Sequence, residues 1–306
     1  MGKIAVLFSG QGAQYVGMGK DLYDSDSDAK KLYDLGESLR PGTVKVCFEG
    51  EGEELTKTEN TQPALFLTDL AFANALKDAG IKADAVAGFS LGEIPALAYA
   101  GVLSTEDAFK LVVIRGTKMG ELSTKYAGGM AAALKLAPEV VEETCKEFKE
   151  IWPVNYNCPG QIVITGWKED VEQAADALKE AGAKRVLPLN VSGPFHSSLL
   201  EQAGEELGKE LEQVDFSDLQ IPYVTNVTAE YVTDITKTKE LLARQVASSV
   251  RWQQSMELLI ADGVDTFVEI GPGRTLAGFL RKINREVKVY NVGTWEDVDK
   301  VVNELC

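Results

Sequence analysis

Ser90 stands between two glycines in the run Gly88-Phe89-Ser90-Leu91-Gly92. A serine hydroxyl is a weak nucleophile until a neighbouring base takes its proton and a positive environment receives the charge that develops. Glycines two residues to either side let the backbone crowd through a tight turn, which lifts the side chain clear of a strand end. Ala85-Val86-Ala87 before it is a short apolar run, and the residues from Leu91 to Gly101 favour a helix, so the segment reads as strand, sharp turn and helix. The Ser90 hydroxyl then sits at a helix N-terminus, where unpaired N–H groups and the positive end of the dipole favour an oxyanion. A five-residue pattern also arises by chance in many chains, so the reading requires a base.

The chain has one histidine, His196, in the loop Ser192-Gly193-Pro194-Phe195-His196. A lone loop histidine is ordinarily a surface residue. Its uniqueness, and a Gly/Pro turn that looks built to fix its position, make it the candidate base, because imidazole is the side chain suited to proton transfer near neutral pH. A third member is harder to place: the acids between Ser90 and His196, such as Asp170 and Asp176, fall on predicted exposed helices. That leaves a backbone carbonyl or amide to orient the ring. Arg115 lies among Leu111, Val112, Val113 and Ile114 on an otherwise apolar helix. It is either structural, with its stem buried and its head reaching out, or the two-pronged partner of a carboxylate. Gly10-Gln11-Gly12-Ala13-Gln14 follows an apolar run, but the third glycine of a dinucleotide fingerprint would fall on Tyr15, so that reading fails. The turn instead brings the backbone or the Gln11 side chain near some polar group.

These residues need elements to hold them. Lys3 to Ser9 is a first strand, Asp24 to Leu39 an exposed charged helix, and Thr61 to Gly80 a heavily buried helix with Pro63 near its start and Gly80 past its end. Ser104 reads as an N-cap, with Asp107 three residues on, for the helix bearing Arg115. From Gly128 the order is strand (128–136), helix (138–150), strands 151–156 and 162–166, helix (168–181) and strand (185–191). That is the ferredoxin-like order, and we expect a small inserted domain over residues 125–191. Residues 1–124 and 192–306 form the large domain, with helices at 199–211, 236–248, 252–261 and 295–305, strands at 221–225, 265–270 and 287–290, and a helix running to Ile283. Strands alternating with helices imply an α/β-hydrolase-like unit around a mostly parallel, helix-covered sheet.

With 306 residues, 45% of them hydrophobic, the chain can bury a large core. A formal charge of -16 argues against nucleic acid and anionic membrane as partners. No apolar stretch reaches membrane-spanning length, and the N-terminus reads as a strand, not as a signal peptide. The four cysteines are scattered without metal-ligand or disulfide spacing, so no metal is expected and a reducing cytoplasm is the expected location.

Taken together, the turn at residues 10–14, Thr61-Gln62-Pro63-Ala64, the Gly88–Gly92 run with Glu93, Arg115-Gly116, Asn155-Tyr156-Asn157 with Pro159-Gly160-Gln161, Gly193-Pro194-Phe195-His196 and Glu269-Ile270-Gly271-Pro272-Gly273 form a pattern. In order and spacing it resembles the malonyl-CoA:acyl carrier protein transacylase family of bacterial fatty-acid synthesis. The resemblance implies a ping-pong acyltransferase, an acyl-carrier-protein S-malonyltransferase. Ser90 would attack malonyl-CoA with His196 as base, and the phosphopantetheine thiol of acyl carrier protein would resolve the ester. By the same resemblance the backbone N–H groups of Gln11 and Leu91 form the oxyanion hole, Arg115 holds the malonyl carboxylate, and the Gln245 carbonyl orients His196. It implies no cofactor beyond the coenzyme A thioester and the carrier's own arm, an acidic carrier as partner, and a monomer. Phe89 departs from the family, which often has histidine there, and Phe195 resembles the malonyl-selective form of its loop. A polyketide acyltransferase, a serine hydrolase and a silent carrier-binding module are the alternatives.

Overall fold

The computed structural model describes residues 2–191 and 193–306. Met1, at the start of the expected large domain, and Ser192, at the start of the expected Gly/Pro loop, lie outside them. The strands are β1 (Lys3–Phe8), β2 (Ala85–Gly88), β3 (Gly128–Leu134), β4 (Ile151–Cys158), β5 (Gln161–Trp167), β6 (Arg185–Pro188), β7 (Tyr223–Val224), β8 (Val264–Ile270) and β9 (Lys288–Val292).

Along β1, Ile4, Val6 and Phe8 enter one hydrophobic core while Ala5 and Leu7 enter another. A strand buried on both faces belongs in a parallel sheet covered by helices. The large sheet accordingly runs β7-β2-β1-β8-β9 with every pairing parallel. Phe8 stands level with Gly88 on one side and Ile270 on the other, so the turns leaving β1, β2 and β8 emerge at one edge. In open sheets of this kind, ligands bind at the carboxyl ends of the strands.

The stretch between residues 128 and 188 forms a four-stranded antiparallel sheet of order β4-β5-β3-β6, with the helices Pro138–Lys146 and Lys168–Glu180. Ala131 and Ala133 pack under those helices in a separate core. Met130 and Ala132 face the other way, into the main core.

Several boundaries differ from the sequence reading. The expected helix over 24–39 is two helices, Lys20–Ser25 and Ser27–Leu39, because the Asp26 carboxylate accepts from the Asp28 and Ala29 N–H groups and starts a new helix. Its charged face is exposed, but Ala29, Leu32 and Tyr33 are buried. The buried helix begins earlier, at Thr58, which leaves Pro63 inside it. It ends as expected: Gly80 adopts φ +97°, and the Gly80 and Ile81 N–H groups bond back to the Lys77 and Leu76 carbonyls. Short helices at Thr43–Glu49 and Gly52–Thr56 were not anticipated. The helix expected to Ser248 stops at Gln245, and β6 stops at Pro188. Among the described residues, no helix is long and apolar enough to cross a membrane.

Candidate active site

Steric crowding explains the two glycines around Ser90. A Cβ on Gly88 would lie 1.9 Å from the Gly92 carbonyl carbon, and one on Gly92 would lie 2.4 Å from the Phe8 carbonyl oxygen. Ser90 itself takes φ +53°, a conformation that L residues adopt only when the surroundings enforce it. Asn226 supplies that enforcement, accepting from the Ser90 N–H at 2.7 Å and donating to the Gly88 carbonyl at 2.7 Å. A Cβ on Gly10 would meet the Phe89 carbonyl at 2.7 Å, so the turn after β1 touches the Ser90 turn and brings Gln11 beside it. The Gln11 side chain donates to Thr58 Oγ1 at 3.1 Å.

His196, also left-handed at φ +65°, is buried and places Nε2 2.7 Å from Ser90 Oγ. Its Nδ1 lies 2.9 Å from the Gln245 carbonyl and 3.1 Å from the Ser248 carbonyl. Carbonyls only accept, so Nδ1 carries the proton and the Nε2 lone pair faces the serine. Burial, then the nearby Arg115 charge, push the imidazole pKa down to about 4, and the two carbonyls only partly oppose this. The ring is therefore neutral at physiological pH.

Arg115 is 2% exposed. It can reach the centre because Gly116 allows close helix packing: a Cβ there would sit 3.1 Å from the Thr58 carbonyl and 3.3 Å from Gln62 Cβ. Arg115 Nη1 donates to Gln62 Oε1 at 2.8 Å; Nη2 donates to Gln245 Oε1 at 2.8 Å and to Ser90 Oγ at 3.1 Å. Among the described residues no carboxylate comes within ion-pair distance of it, and burial lowers its pKa to about 10. Gln245 is the hub of the site. Its Nε2 donates to the Ser90 carbonyl at 2.7 Å and to Glu93 Oε2 at 2.5 Å, which fixes the amide so that Oε1 faces Arg115. Glu93 also accepts from Tyr223 and from the Asn226 N–H, and burial raises its pKa to about 7.

Beside this cluster, a cavity of about 410 Å³ opens between the two sheets, lined by Gln11, Phe89, Asn155, Asn157, Gln161 and Phe279 among others.

The acyl transferase domain model matches residues 6–300. Over 310 residues, spanning 100% of this chain and 98% of the relative, the chain is 44% identical to the malonyl CoA-acyl carrier protein transacylase of Bacillus subtilis (strain 168). It is 43% identical to the enzyme of that name from Staphylococcus aureus (strain MRSA252), over 97% of this chain and 98% of that one. The chain belongs to the malonyl CoA-acyl carrier protein transacylase family. The Streptococcus pneumoniae member superposes with a TM-score of 0.94 at 41% identity, covering 99% of this chain and 100% of that one. A malonyl-transacylase solved in complex with its type II PKS acyl-carrier protein superposes at 0.95 with 36% identity, covering 99% of each chain.

The candidate residues picked from sequence thus meet: Ser90, His196, Arg115 and Gln245 are bonded to one another, and Gln11 lies alongside. Leu91 is buried in the turn that follows Ser90. Phe89, where histidine is common in the family, packs edge-on to Trp252 at 5.4 Å and forms part of the cavity wall. Phe195 is buried in the main core. Four participants escaped sequence reasoning. Gln62 and Glu93 sit inside motifs that were noticed but given no role, Ser248 adds a second carbonyl to the histidine, and Asn226 carries no local signal at all.

Proposed function

We propose that this acyltransferase moves a malonyl group from malonyl-CoA to the phosphopantetheine thiol of acyl carrier protein, through a malonyl-Ser90 ester. Arg115 carries the reading. A buried guanidinium without an acidic partner, bonded to the nucleophile's own oxygen, is costly unless a substrate carboxylate arrives. A malonyl thioester has one; a simple ester does not, which disfavours a hydrolase.

Neutral His196 accepts the Ser90 proton at Nε2 as Oγ attacks the thioester carbonyl. The developing oxyanion is held by the backbone N–H groups of Gln11 and Leu91. As the carbon–sulfur bond breaks, the imidazolium returns its proton to the departing thiol. The carrier's thiol then gives its proton to His196, attacks the ester carbonyl and releases Ser90, which regains the proton. The Gln245 and Ser248 carbonyls hold Nδ1–H and stabilise the transient imidazolium, the task a carboxylate performs in Ser-His-Asp sites. The chain's own groups suffice for every proton transfer, so this reading needs no cofactor or metal.

The wider reading is a cytoplasmic, monomeric enzyme of fatty-acid synthesis, with residues 125–191 as an inserted ferredoxin-like domain. The strand and helix order and the antiparallel pairing of that stretch support the domain assignment. The test is intact-protein mass spectrometry after brief mixing with malonyl-CoA, then with holo acyl carrier protein. One malonyl adduct, absent in Ser90→Ala and passed to the carrier, is the expected result. An adduct lost as fast without the carrier would mean a hydrolase, and no adduct would mean a silent module.

A further inference from the structure

One buried acid touches the turn that carries Gln11, and the chemistry above gives it no task. Asp69, in the middle of the helix Thr58–Asp78, is 1% exposed and flanked along that helix by Phe66, Leu67, Leu70 and Phe72, all buried. None of the ion pairs among the described residues includes it. An isolated buried carboxylate is costly, so such a group gives up its charge. Burial accordingly pushes the Asp69 carboxyl well above the ordinary range; hydrogen bonds from Ser9 oppose this in part, and nearby Glu269 adds to it. Glu269 has partners of its own, accepting from the Leu276 and Ala277 N–H groups and from Asn291.

Ser9 Oγ lies 3.1 Å from Asp69 Oδ1 and 3.0 Å from Oδ2. An ionised carboxylate would leave one hydrogen, the serine's, among these oxygens. A carboxylic acid supplies a second: its O–H donates to Ser9 Oγ while the serine hydroxyl donates to the other oxygen, so both short distances are used. The pair holds two turns together. Ser9 N–H donates to the Ile270 carbonyl at 3.2 Å. Gly271, at φ +104°, passes so near that a Cβ there would lie 2.1 Å from Asp69 Oδ1 and 2.6 Å from Ser9 Oγ. Next to Ser9, Gly10 presses on the Phe89 carbonyl, and Phe89 N–H donates to the Phe8 carbonyl at 3.0 Å. Asp69 thus ties the ends of β1 and β8 where the Gln11 turn leaves the sheet and meets the Ser90 turn.

We infer that Asp69, acting through Ser9, is a positioning residue for the turn that presents the Gln11 N–H to the thioester oxygen. This role rests on the transfer reading, in which that N–H helps to hold the oxyanion. A donor stabilises developing charge only when it is already aimed at the place where the charge will appear. Gly10-Gln11-Gly12 has little stiffness of its own, because glycine restricts the backbone least. Anchored at Ser9 to a helix of the core, the turn keeps its aim. A neutral anchor suits the task, since a carboxylate charge beside this turn would oppose the charge that the oxyanion hole must hold.

The test compares Asp69→Ala, Asp69→Asn and Ser9→Ala in the full chain. Rapid-quench mass spectrometry follows Ser90 acylation over a range of malonyl-CoA concentrations, with rates normalised to the amount of Ser90 that acylates at long times. Removing one oxyanion donor costs roughly 100-fold to 1,000-fold in kcat, so displacing it should lower kcat roughly tenfold to 100-fold in both alanine variants, at a KM within about twofold of the unmodified chain. Asp69→Asn keeps one donor and one acceptor for the Ser9 hydroxyl and should hold kcat within about twofold. A normalised kcat unchanged in both alanine variants, with only the melting temperature lowered, would make the contact structural and overturn the positioning role. So would a rise in KM at unchanged kcat, or an Asp69→Asn variant as slow as Asp69→Ala. If Asp69→Ala does not fold, Ser9→Ala, which removes a single oxygen, gives the same reading. An unmodified chain that malonyl-CoA does not acylate would overturn the transfer reading itself, and the role of Asp69 with it.

Discussion

At the scale of single residues, the proposed mechanism depends on keeping one ring neutral and one cation without an ion-pair partner among the described residues. His196 is held at a pKa of about 4 by burial and by Arg115, below the ordinary imidazole value. The neutral base is therefore present above that value, and kcat/KM for acylation should stay level as pH falls from 8 to about 5, then drop tenfold per unit below about 4. A limb centred near 6.5 that persists in Glu93→Gln, which removes the carboxyl raised to about 7, would show that the ring is not buried as described. The same shift acts on stability: folding favours the neutral ring, so stability should rise with pH from about 4 to 6.5 through this group and be lost as pH falls through that window. Arg115 gives a second test. Removing one partner of a buried, hydrogen-bonded charge pair costs about 2–5 kcal/mol, roughly 30-fold or more. Arg115→Ala should lose that much more kcat/KM with malonyl-CoA than with acetyl-CoA. The bond from Arg115 to Ser90 Oγ is lost with both donors, so only the ratio reports the carboxylate, and equal losses would make the residue structural.

At the scale of elements, Ser90, the proposed nucleophile, is held by a crossing of backbones. Gly92 passes so close to the end of β1 that a methyl group there would lie 2.4 Å from the Phe8 carbonyl and 2.6 Å from the Ser9 carbonyl. Neither backbone can give way without moving the sheet, so Gly92→Ala should lower the melting temperature by several degrees, at about 1–3 kcal/mol for overpacking. It should also depress kcat, since small displacements at a reacting atom are expensive. Gly278→Ala, in the helix Thr275–Ile283 with nothing within 4 Å of the added carbon, is the control and should melt level or higher. Calorimetry of the two variants checks the pair. This turn was legible in the sequence because its constraint is local: two glycines, a β-rich run before and helix formers after. The helix holding Arg115 and the Gly80 terminus were legible for the same reason. Asn226 was not, because it reaches Ser90 only once β7 pairs with β2, far apart in the chain. Nor was the Asp26 break, where a side-chain cap beats an otherwise continuous helical pattern.

At the scale of the whole molecule, a net charge of -16 should repel an acidic carrier, so docking needs a local exception. One is present beside the active-site cavity. Lys135, Lys184, Arg185 and Lys282 line a surface pocket of about 360 Å³ whose other walls are Leu134, Pro159 and Gly160, with no acidic residue among them. The ion pairs among the described residues lie elsewhere and involve none of these four. Lys282 Nζ instead donates to Gln161 Oε1 at 3.0 Å, and Gln161 belongs to the cavity wall, so the basic patch adjoins the cavity. An arm whose thiol reaches Ser90 would leave its phosphate, and the carrier behind it, near these cations. Exposed charges of this kind act within a screening length of about 10 Å at 0.1 M salt. Raising salt from low to several hundred millimolar should therefore increase KM for the carrier severalfold while leaving acylation by the amide-free malonyl ethanethiol unchanged. Lys184→Glu with Arg185→Glu should mimic high salt and abolish further salt dependence, because the charges that salt screens are gone. A carrier KM indifferent to both salt and the substitutions would place docking on another face.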